Sequence, residues 1–549
     1  MPKFIFVIGG VMSGIGKGIT TSSIARLLKD RGFRVTCVKI DPYLNVDAGT
    51  MNPIEHGEVF VTEDGMECDQ DIGNYERFLG ENILKTNYMT SGSVYLSVIN
   101  RERGLMYKGK CVETVPHIPE EIIKRLNIAA QKNKADFVLV EVGGTVGEYQ
   151  NLVYFEAARM LHLKNPKNVL FVLVSYLPIP QKIGEMKTKP TQYAVRSLNS
   201  AGIQPDIIIA RSHVSLDNLR KIKLSTFCNV GHKDIISAPD ADNIYQVPLN
   251  FKKDKLDLII LEKFGLKEKK NDFSMWARMV RNAEKAKKEV KIGIVGKYFG
   301  TGKFSLGDAY ISVIEAIKHA SWNLSRKPKI LWLDAEDYEK DLNKMKRELT
   351  EVDGIVIPGG FGSRGVEGKI KAIKYARENK KPFLGLCYGM QLAVVEFSRN
   401  KAGMKGAQTT EINPSTKYPV IDIMAEQKEK IASFKLGGTM RLGAFLCQIK
   451  KDSIASRAYG KKEISERHRH RYELNNNLKN ILESKGLVIS GVNPQSGLAE
   501  IVELRDHPFF VGTQFHPEFK SRPLEPHPLF KEFIKATIKV NERGKKKKN

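Results

Sequence analysis

Three residues in the C-terminal half of the chain have the types and the spacing of a site for nucleophilic catalysis. Cys387 follows the apolar run Phe383–Leu386 and precedes a segment with helical periodicity. A sharp turn from strand to helix exposes a thiol and aims the helix N-terminus at it, which lowers the thiol pKa. Far downstream, Glu518 can orient His516, and His516 can exchange protons with Cys387 and with leaving ammonia. The three residues predict covalent catalysis by a thiol.

A glycine loop supports this interpretation. Pro358–Gly362 follows another predicted strand and can present backbone amides to a tetrahedral oxyanion. For a lone cysteine, a buried structural role is the favoured alternative. Because the thiol, the imidazole with its carboxylate and the glycine loop occur together, the catalytic interpretation is preferred.

The N-terminal half contains a second candidate site, in a glycine-rich turn after the first predicted strand. The turn, Gly9–Gly18, precedes a predicted helix, so its backbone amides, the helix dipole and Lys17 can all bind phosphate. It departs from the standard phosphate-binding loop in two ways, because five residues separate Gly10 from Gly16 and Gly18 replaces the usual Ser or Thr. A magnesium ligand must therefore come from elsewhere. A plain glycine turn is the alternative.

Two carboxylates are candidates for that ligand. Asp71 ends the acidic segment Glu67–Asp71, and Glu141 lies near the end of the predicted strand Phe137–Val142. Magnesium prefers a few carboxylate oxygens together with phosphate and water, and sites in α/β sheets form at the carboxyl ends of strands. Each acid alone is more typical of a solvated surface, and only the glycine loop makes both of them candidates.

Further polar side chains lie where ligands bind in such sheets. Lys187 and Lys189 precede a predicted helix in Gly184–Gln192, where cations and amides can converge on a triphosphate, although composition alone indicates only a basic loop. Lys39 and Asp41 end another predicted strand.

Two parallel sheets are needed to position these residues. Apolar strand-like runs alternate with helical periodicity along the chain, which predicts an α/β fold with two doubly wound domains. The predicted strands of the first domain are Phe4–Ile8, Val35–Ile40, Phe137–Val142, Val169–Val174 and Ile207–Ala210, with a helix at Thr20–Asp30. Those of the second are Val290–Val295, Ile330–Leu333, Ile355–Ile357 and Phe383–Leu386. We place the domains at 1–266 and 290–541, with a linker at 267–289 that contains an amphipathic helix, and a basic, disordered tail at 542–549.

The amino-acid composition limits the kinds of molecule that the protein is expected to bind. Lys and Arg outnumber Asp and Glu by 88 to 62, which favours polyanions, either nucleic acid or nucleotide triphosphates. The six cysteines are widely spaced and form no CxxC pair, which indicates a reducing, cytoplasmic environment. No apolar run approaches the roughly 20 residues that span a bilayer, so no membrane partner is expected.

The C-terminal motifs resemble the class I glutamine amidotransferases over roughly Lys291–Val540. That resemblance implies that Cys387 forms a γ-glutamyl thioester and that Gly360 belongs to the oxyanion hole. It assigns glutamine recognition to Tyr388, Gly389, Met390, Gln391, Glu411 and Arg471. The run Arg467–Arg471 could also be a metal or nucleic-acid patch. The binding role of Arg471 is preferred because Glu466–Glu473 also matches CTP synthases.

The N-terminal segments Lys39–Asn45, His56–Gly65, Glu141–Gly147 and Lys187–Gln192 resemble the synthetase domain of the CTP synthases. The resemblance implies magnesium at Asp71 and Glu141. It implies ATP at Gly14, Ile15, Gly16, Lys17, Gly18, Ile19, Lys39, Asp71, Pro239, Asp240 and Ala241. It implies UTP, or the inhibitor CTP, at Ser13, Glu148, Tyr149, Gln150, Lys187, Thr188, Lys189, Pro190, Thr191, Gln192 and Lys223. The run Gly147–Gln150 departs from the Gly-Asp-Ile-Glu-like run typical of the family, which puts the strength of CTP inhibition in doubt.

The amidotransferase half alone also fits GMP, anthranilate or carbamoyl-phosphate synthesis. The resemblance of the N-terminal half to CTP synthases implies that UTP is the acceptor of the ammonia. The family phosphorylates the 4-oxygen of UTP with ATP and displaces the phosphate with ammonia that passes through an internal channel. The resemblance further implies activation by GTP, a mobile lid at Gly437–Gly443, a homotetramer and filaments. A ParA-like ATPase bound to DNA would not need Cys387, and an inactive scaffold would tolerate the loss of either site. No nucleic-acid partner is therefore expected.

Overall fold

The protein is described by a computed structural model that covers residues 1–549 except 183, 270–271, 298–299, 302–303, 306–307, 425–426, 428–437 and 547–549. The chain divides into two compact units, of which the first comprises Met1–Ala48 and Asp71–Val280 and the second comprises Gly49–Gln70 and Arg281–Asn549. The predicted N-terminal domain, 1–266, includes residues 49–70, whereas the structure groups this segment with the second unit.

The strands are β1 Lys3–Gly9, β2 Val35–Asp41, β3 Phe60–Val61, β4 Glu67–Cys68, β5 Tyr88–Thr90, β6 Phe137–Val142, β7 Val169–Tyr176, β8 Ile207–Ser212, β9 Ile235–Pro239, β10 Glu289–Gly296, β11 Gly300–Thr301, β12 Phe304–Ser305, β13 Lys327–Asp334, β14 Gly354–Ile357, β15 Phe383–Leu386, β16 Gln408–Thr409, β17 Pro419–Ile423, β18 Arg441–Ile449, β19 Glu463–His470, β20 Tyr472–Leu474, β21 Val488–Val492, β22 Ala499–Glu503 and β23 Phe510–Thr513.

The helices are α1 Lys17–Asp30, α2 Pro53–His56, α3 Gln70–Leu79, α4 Ser91–Arg103, α5 Thr114–Lys132, α6 Leu152–Lys164, α7 Lys189–Ser200, α8 Asn218–Cys228, α9 Val247–Lys253, α10 Leu256–Lys263, α11 Ser274–Lys285, α12 Ile311–Asn323, α13 Ala335–Lys340, α14 Leu342–Glu351, α15 Val366–Glu378, α16 Tyr388–Asn400, α17 Ile454–Tyr459, α18 Lys479–Ser484 and α19 Pro528–Lys546.

The first unit is built on a seven-stranded parallel sheet in the order β5-β2-β6-β1-β7-β8-β9. Every residue of β2 and β6 is buried, as expected for strands covered by helices on both faces. The chain leaves β1 toward β2 on one side, while β7 and β8 lie on the other side, so the sheet has a switch point at the carboxyl end of β1. Ligands of doubly wound sheets bind at such a point, and the glycine-rich turn lies there.

The second unit contains a nine-stranded mixed sheet in the order β13-β10-β14-β15-β23-β22-β21-β18-β19. Its first five strands are parallel, and its last four pair antiparallel. The predicted α/β class is confirmed, with the difference that the second sheet is only partly parallel. Apolar side chains cover both faces of its parallel half and form two cores.

The predicted linker and tail are largely helical where the structure describes them. Phe273 immediately precedes α11, and its side chain is buried, as are those of Trp276 and Val280 within the helix. The indole of Trp276 donates a hydrogen bond to the carbonyl oxygen of Tyr245 at 2.9 Å. At the C-terminus, α19 continues to Lys546 and includes residues 542–546 of the tail for which disorder is expected. An ion pair of 3.0 Å between Arg326 and Glu542 fastens this part of the helix. Residues 547–549 of the tail lie outside the described residues.

Every helix among the described residues is too short or too polar to cross a lipid bilayer. All six cysteines are free thiols, as the wide spacing predicts.

Candidate functional site

Cys387 occupies the sharp turn between β15 and α16. Its backbone has φ of 49° and ψ of −99°, an unfavourable conformation for a residue with a side chain. A hydrogen bond of 2.6 Å from the amide of Cys387 to the carbonyl oxygen of Thr513 holds the turn. Since the side chain is only 3% exposed, the thiol faces the interior of the second unit. This is the strand-to-helix turn that the sequence predicts for a nucleophile.

His516 comes close to Cys387 because β15 and β23 are parallel neighbours. Leu386 pairs with Thr513, so the segments that follow the two strands leave the sheet side by side. Nδ1 of His516 donates a hydrogen bond of 2.7 Å to Oε1 of Glu518. Burial favours the neutral imidazole, but the negative charges of Glu518 and Cys387 outweigh it and raise the pKa of His516 to about 10. The surroundings of His516 therefore favour an imidazolium beside Cys387.

The predicted oxyanion loop lies against the same imidazole. Pro358–Gly362 follows β14, the neighbour of β15 in the sheet. A Cβ atom on Gly359 would lie 2.9 Å from Cε1 of His516, so only glycine lets the loop approach this closely. The amide of Gly362 donates to Glu411 at 2.6 Å, and the hydroxyl of Tyr388 donates to the carbonyl oxygen of Gly362 at 2.8 Å.

A cavity of about 180 Å³ opens onto the thiol. Cys387, His516, Glu518, Gly359 and Gly360 contribute to its wall. The remaining wall comes from Tyr310, Phe361, Met440, Arg469 and Phe519, among others, and from six residues between positions 49 and 59, which are Gly49, Thr50, Met51, Pro53, Glu58 and Val59. No motif assigns residues 49–59 to this site, because nothing in their spacing or charge indicates that they pack beside Cys387.

The residues predicted to bind glutamine lie in different surroundings. A Cβ atom on Gly389 would lie 2.2 Å from the carbonyl oxygen of Ile357, and the side chain of Met390 is buried in the core, so both positions serve packing. Gln391 donates to the carbonyl oxygen of Tyr472 at 2.8 Å. Burial raises the pKa of Glu411. Arg471 donates to Gln427 at 2.6 Å and to Thr439, the latter in the predicted lid, whose first residue, Gly437, lies outside the described residues.

In the first unit, the glycine-rich turn connects β1 to α1. Gly14 and Gly16 have φ of 69° and 83°, which favours glycine at both positions. The Nζ atom of Lys17 donates to the carbonyl oxygen of Gly144 at 2.8 Å, and burial lowers the Lys17 pKa. A Cβ atom on Gly18 would lie 2.0 Å from a carboxylate oxygen of Asp71. Gly18 therefore replaces the usual Ser or Thr because Asp71 occupies that space.

Asp71 and Glu141 share one cation in the described structure. The ammonium of Lys39 forms an ion pair with Asp71 and a second one of 3.0 Å with Glu141. Burial and the charge of Asp71 raise the pKa of Glu141 to about 7. The excess of negative charge and the hard oxygen donors fit a divalent cation bound beside a phosphate.

Several of the other predicted nucleotide-binding residues follow the carboxyl ends of strands in the first unit, whereas Lys223 lies within α8. Arg211 lies between Gly16 and Asp240. Its Nε atom lies 3.8 Å from the position that a Cβ atom on Gly16 would take, and its Nη2 atom donates a hydrogen bond of 2.8 Å to Asp240. Pro239 ends β9, directly before Asp240 and Ala241. Lys189 and Pro190 open α7, after Lys187 and Thr188, and Thr191 bonds to Ser175 at 2.9 Å. Ser13 and Lys223 are exposed.

The segment that departs from the family pattern forms a local hydrogen-bonded turn. Oε1 of Glu148 accepts a hydrogen bond of 2.8 Å from the amide of Thr145, and Oε2 accepts one of 2.7 Å from the side-chain amide of Gln150. Tyr149 between them is 90% exposed. The Gln150 side chain therefore binds Glu148.

Comparison with known proteins gives matches in both halves of the chain. The family model described as CTP synthase N-terminus matches residues 3–266, and the model described as glutamine amidotransferase class-I matches residues 305–536. A CTP synthase of Carboxydothermus hydrogenoformans is 51% identical over 99% of this chain and 100% of its own. One from Thermococcus gammatolerans is 50% identical over 98% of each chain.

Among solved structures, the glutaminase domain of a Trypanosoma brucei CTPS with bound acivicin is 38% identical. It covers 46% of this chain and 94% of its own, with a TM-score of 0.42.

Proposed function

Because the chain belongs to the CTP synthase family, we propose that Cys387 hydrolyses glutamine and that the ammonia aminates UTP in the first unit. The overall activity is that of a glutamine-hydrolysing ligase, which forms CTP from UTP with ATP in pyrimidine nucleotide synthesis. The proposal concerns which residues carry each step. The observation that carries it is the pairing of His516 with Glu518 beside the strained turn at Cys387.

In the proposed first step, the thiolate of Cys387 attacks the γ-carbonyl carbon of glutamine. The carbonyl oxygen becomes an oxyanion, which the amides of the loop at Gly360 stabilise. His516 then gives its proton to the amide nitrogen, the C–N bond breaks, and ammonia leaves a γ-glutamyl thioester. His516 next takes a proton from water, whose oxygen attacks the thioester carbon. Glutamate leaves, and the thiolate returns.

Glutamine itself is proposed to be recognised around the turn. Tyr388 and Glu411 both bond to Gly362 of the oxyanion loop, so they can fix the loop while Glu411 contacts the substrate ammonium. Arg471 is proposed to bind the substrate carboxylate. In the described structure its guanidinium binds Gln427 and Thr439, and this role requires it to exchange those partners.

In the first unit we propose ATP on the glycine-rich turn, with Lys17 and Lys39 beside its phosphates and Pro239–Ala241 beside the adenine. Asp71 and Glu141 would hold Mg²⁺, which when bound neutralises charge on the transferring phosphoryl group. Ser13, Lys187–Gln192 and Lys223 would bind UTP. ATP phosphorylates the 4-oxygen of UTP, ammonia attacks the 4-carbon, and phosphate leaves to give CTP.

Regulation and assembly remain proposals that rest on the family. We propose activation by GTP and inhibition by CTP. A homotetramer is proposed because α4 and the turn after it expose Leu96, Ile99, Leu105 and Met106, apolar side chains that a second copy could cover. Filament formation is proposed on the family alone. A cytoplasmic location is proposed from the free cysteines.

The roles of the two sites are tested by changing the nitrogen source. We expect Cys387→Ala to abolish CTP formation from glutamine and to leave formation from ammonium chloride largely intact, measured with UTP, ATP and magnesium. Equal loss with both nitrogen sources would contradict the assignment of Cys387 to ammonia generation.

A further inference from the structure

An aromatic stack extends from His516 to a hairpin that lies far from it in sequence. The ring of Phe519 stacks on the imidazole of His516, with 4.9 Å between centroids and 15° between planes. Phe519 also contacts Phe60, with 4.9 Å between centroids. Phe60 begins the hairpin β3–β4 and is fully buried. All three residues belong to the second unit.

Arg467 holds the hairpin and His516 at the same time. Its guanidinium donates to the carbonyl oxygen of Val61 at 3.1 Å and to Glu63 at 2.9 Å, and it lies 5.5 Å from the centre of the Phe60 ring. Its carbonyl oxygen accepts the amide hydrogen of His516 at 2.8 Å. One fully buried residue therefore fixes the hairpin through its side chain and His516 through its main chain.

Other bonds fasten the hairpin independently of Arg467. The amide of Ala444 donates to the carbonyl oxygen of Glu63 at 3.0 Å. The ammonium of Lys520, next to Phe519 in sequence, lies 3.4 Å from the Glu63 carboxylate. Because the hairpin is held at several points, Phe60 is a fixed surface against which Phe519 can rest.

The imidazole of His516 needs such a surface to stay aligned. The hydrogen bond to Glu518 fixes the position of Nδ1 but leaves the ring free to rotate about that bond. Gly359 limits movement only at the edge that carries Cε1. Phe519 covers a face of the ring and thereby sets its plane. A smaller side chain at position 60 would leave space into which Phe519 and then the imidazole can tilt.

We infer that Phe60 is a positioning residue for glutamine hydrolysis, which holds Phe519 against His516 and keeps the imidazole aligned with Glu518 and Cys387. The inference rests on the proposed roles of Cys387 and His516. It makes the segment 49–70 a working part of the glutaminase, although it lies within the N-terminal family match, 3–266.

The test compares Phe60→Leu with Phe533→Leu in the full-length protein. Phe533 is a buried phenylalanine of α19 whose ring centroid lies 5.7 Å from that of Phe509. It therefore controls for the loss of a buried aromatic ring in the same unit. We expect Phe60→Leu to lower kcat with glutamine about tenfold, as a small misalignment of a reacting group does. The KM for glutamine and the rate with ammonium chloride should stay within about twofold of wild type. Phe533→Leu should leave both rates unchanged.

A second readout separates positioning from general stability. The rate of Cys387 alkylation by iodoacetamide, followed by mass spectrometry of its peptide, reports the thiolate that His516 stabilises. Phe60→Leu should lower this rate at neutral pH and shift its pH profile. Because Phe60 acts through Phe519, Phe60→Leu should have no further effect in a Phe519→Leu background. If Phe60→Leu does not fold, Phe60→Met provides the same comparison.

Wild-type alkylation and wild-type kcat with glutamine in Phe60→Leu would overturn the inference, as would equal losses in Phe60→Leu and Phe533→Leu. Additive losses in the double variant would also overturn it. Failure of the proposed function gives a different result, because Cys387→Ala would then still use glutamine.

Discussion

Glu518→Gln removes the charge that stabilises the His516 imidazolium and keeps an oxygen that can accept its hydrogen bond. The bond that changes is 2.7 Å long and joins two buried groups. Hydrogen bonds to charged groups contribute about 1.5–3 kcal/mol and neutral ones about 1 kcal/mol, so the substitution should cost about 1–2 kcal/mol of transition-state stabilisation. That cost corresponds to a loss of about 5- to 30-fold in kcat with glutamine.

The pH dependence of activity in Glu518→Gln shows in which direction the Glu518 charge shifts the pKa of His516. The reactive pair is a thiolate and an imidazolium, and it is lost when His516 loses its proton. With the Glu518 charge present, the pKa of His516 is about 10, so activity with glutamine should fall only as the pH approaches that value. Removing the charge lowers the pKa, and the fall should move to lower pH. The rate with ammonium chloride should keep its wild-type profile.

The control is Glu503→Gln, which changes another buried carboxylate of the second unit. Glu503 accepts a hydrogen bond of 2.6 Å from the amide of Ile454, at the start of α17, and does not line the cavity at Cys387. Measurements of kcat against pH with both nitrogen sources provide the assay. This account of the His516 charge would be refuted if, in Glu518→Gln, kcat with glutamine stayed within about twofold of wild type and decreased at the same alkaline pH as in wild type.

Three further predictions concern the first unit. Lys17→Ala should abolish CTP synthesis from both glutamine and ammonium chloride, because cations stabilise the transferring phosphoryl group, and a wild-type rate with ammonia would contradict it. Gly18→Ala should lower both rates about 100-fold, since its Cβ would lie 2.0 Å from Asp71 and must displace that carboxylate. Cys387 alkylation should remain normal in this variant, and an unchanged synthesis rate would show that Asp71 tolerates displacement. Gln150→Glu should lower the inhibition constant of CTP up to about tenfold, because a carboxylate accepts stronger hydrogen bonds than an amide. Titration of CTP at fixed UTP measures it, and an unchanged or raised constant would mean that this departure does not weaken inhibition.

The elements predicted in the first unit agree with the structure because buried parallel strands are continuous apolar runs. Phe137–Val142 is predicted and observed with the same bounds, and Val35–Ile40 is one residue short of β2. The helix predicted at Thr20 begins at Lys17, three residues earlier. The left-handed conformation of Gly16 ends the loop there, and residue types alone do not fix that point.

The antiparallel half of the second sheet is not among the predicted strands, and two of its strands, β19 and β22, place charged side chains in the interior. β19 reads Glu-Ile-Ser-Glu-Arg-His-Arg-His, which gives no apolar signal. Arg467 and Arg469 are nonetheless covered, because each pairs with a glutamate of residues 49–70 at 2.9 or 2.8 Å. Such pairs form only between segments that are far apart in sequence. The run 467–471 therefore looks like a surface patch until the partners are known.

The two candidate sites use glycine in the same way, although their chemistry differs. In each unit a charged side chain lies against a glycine of the segment that follows a parallel strand, where a Cβ atom does not fit; Gly18 is in the first turn of α1, and Gly359 is in the loop after β14. Asp71 lies against Gly18, and His516 lies against Gly359. A glycine in a sequence motif is usually taken to provide a turn or an amide, but neither of these two has a positive φ. Glycine is required at these two positions because a charged side chain occupies the space of its Cβ atom. A methyl group added at either position would displace that charged side chain, so the reaction that is lost is the one that the displaced side chain serves.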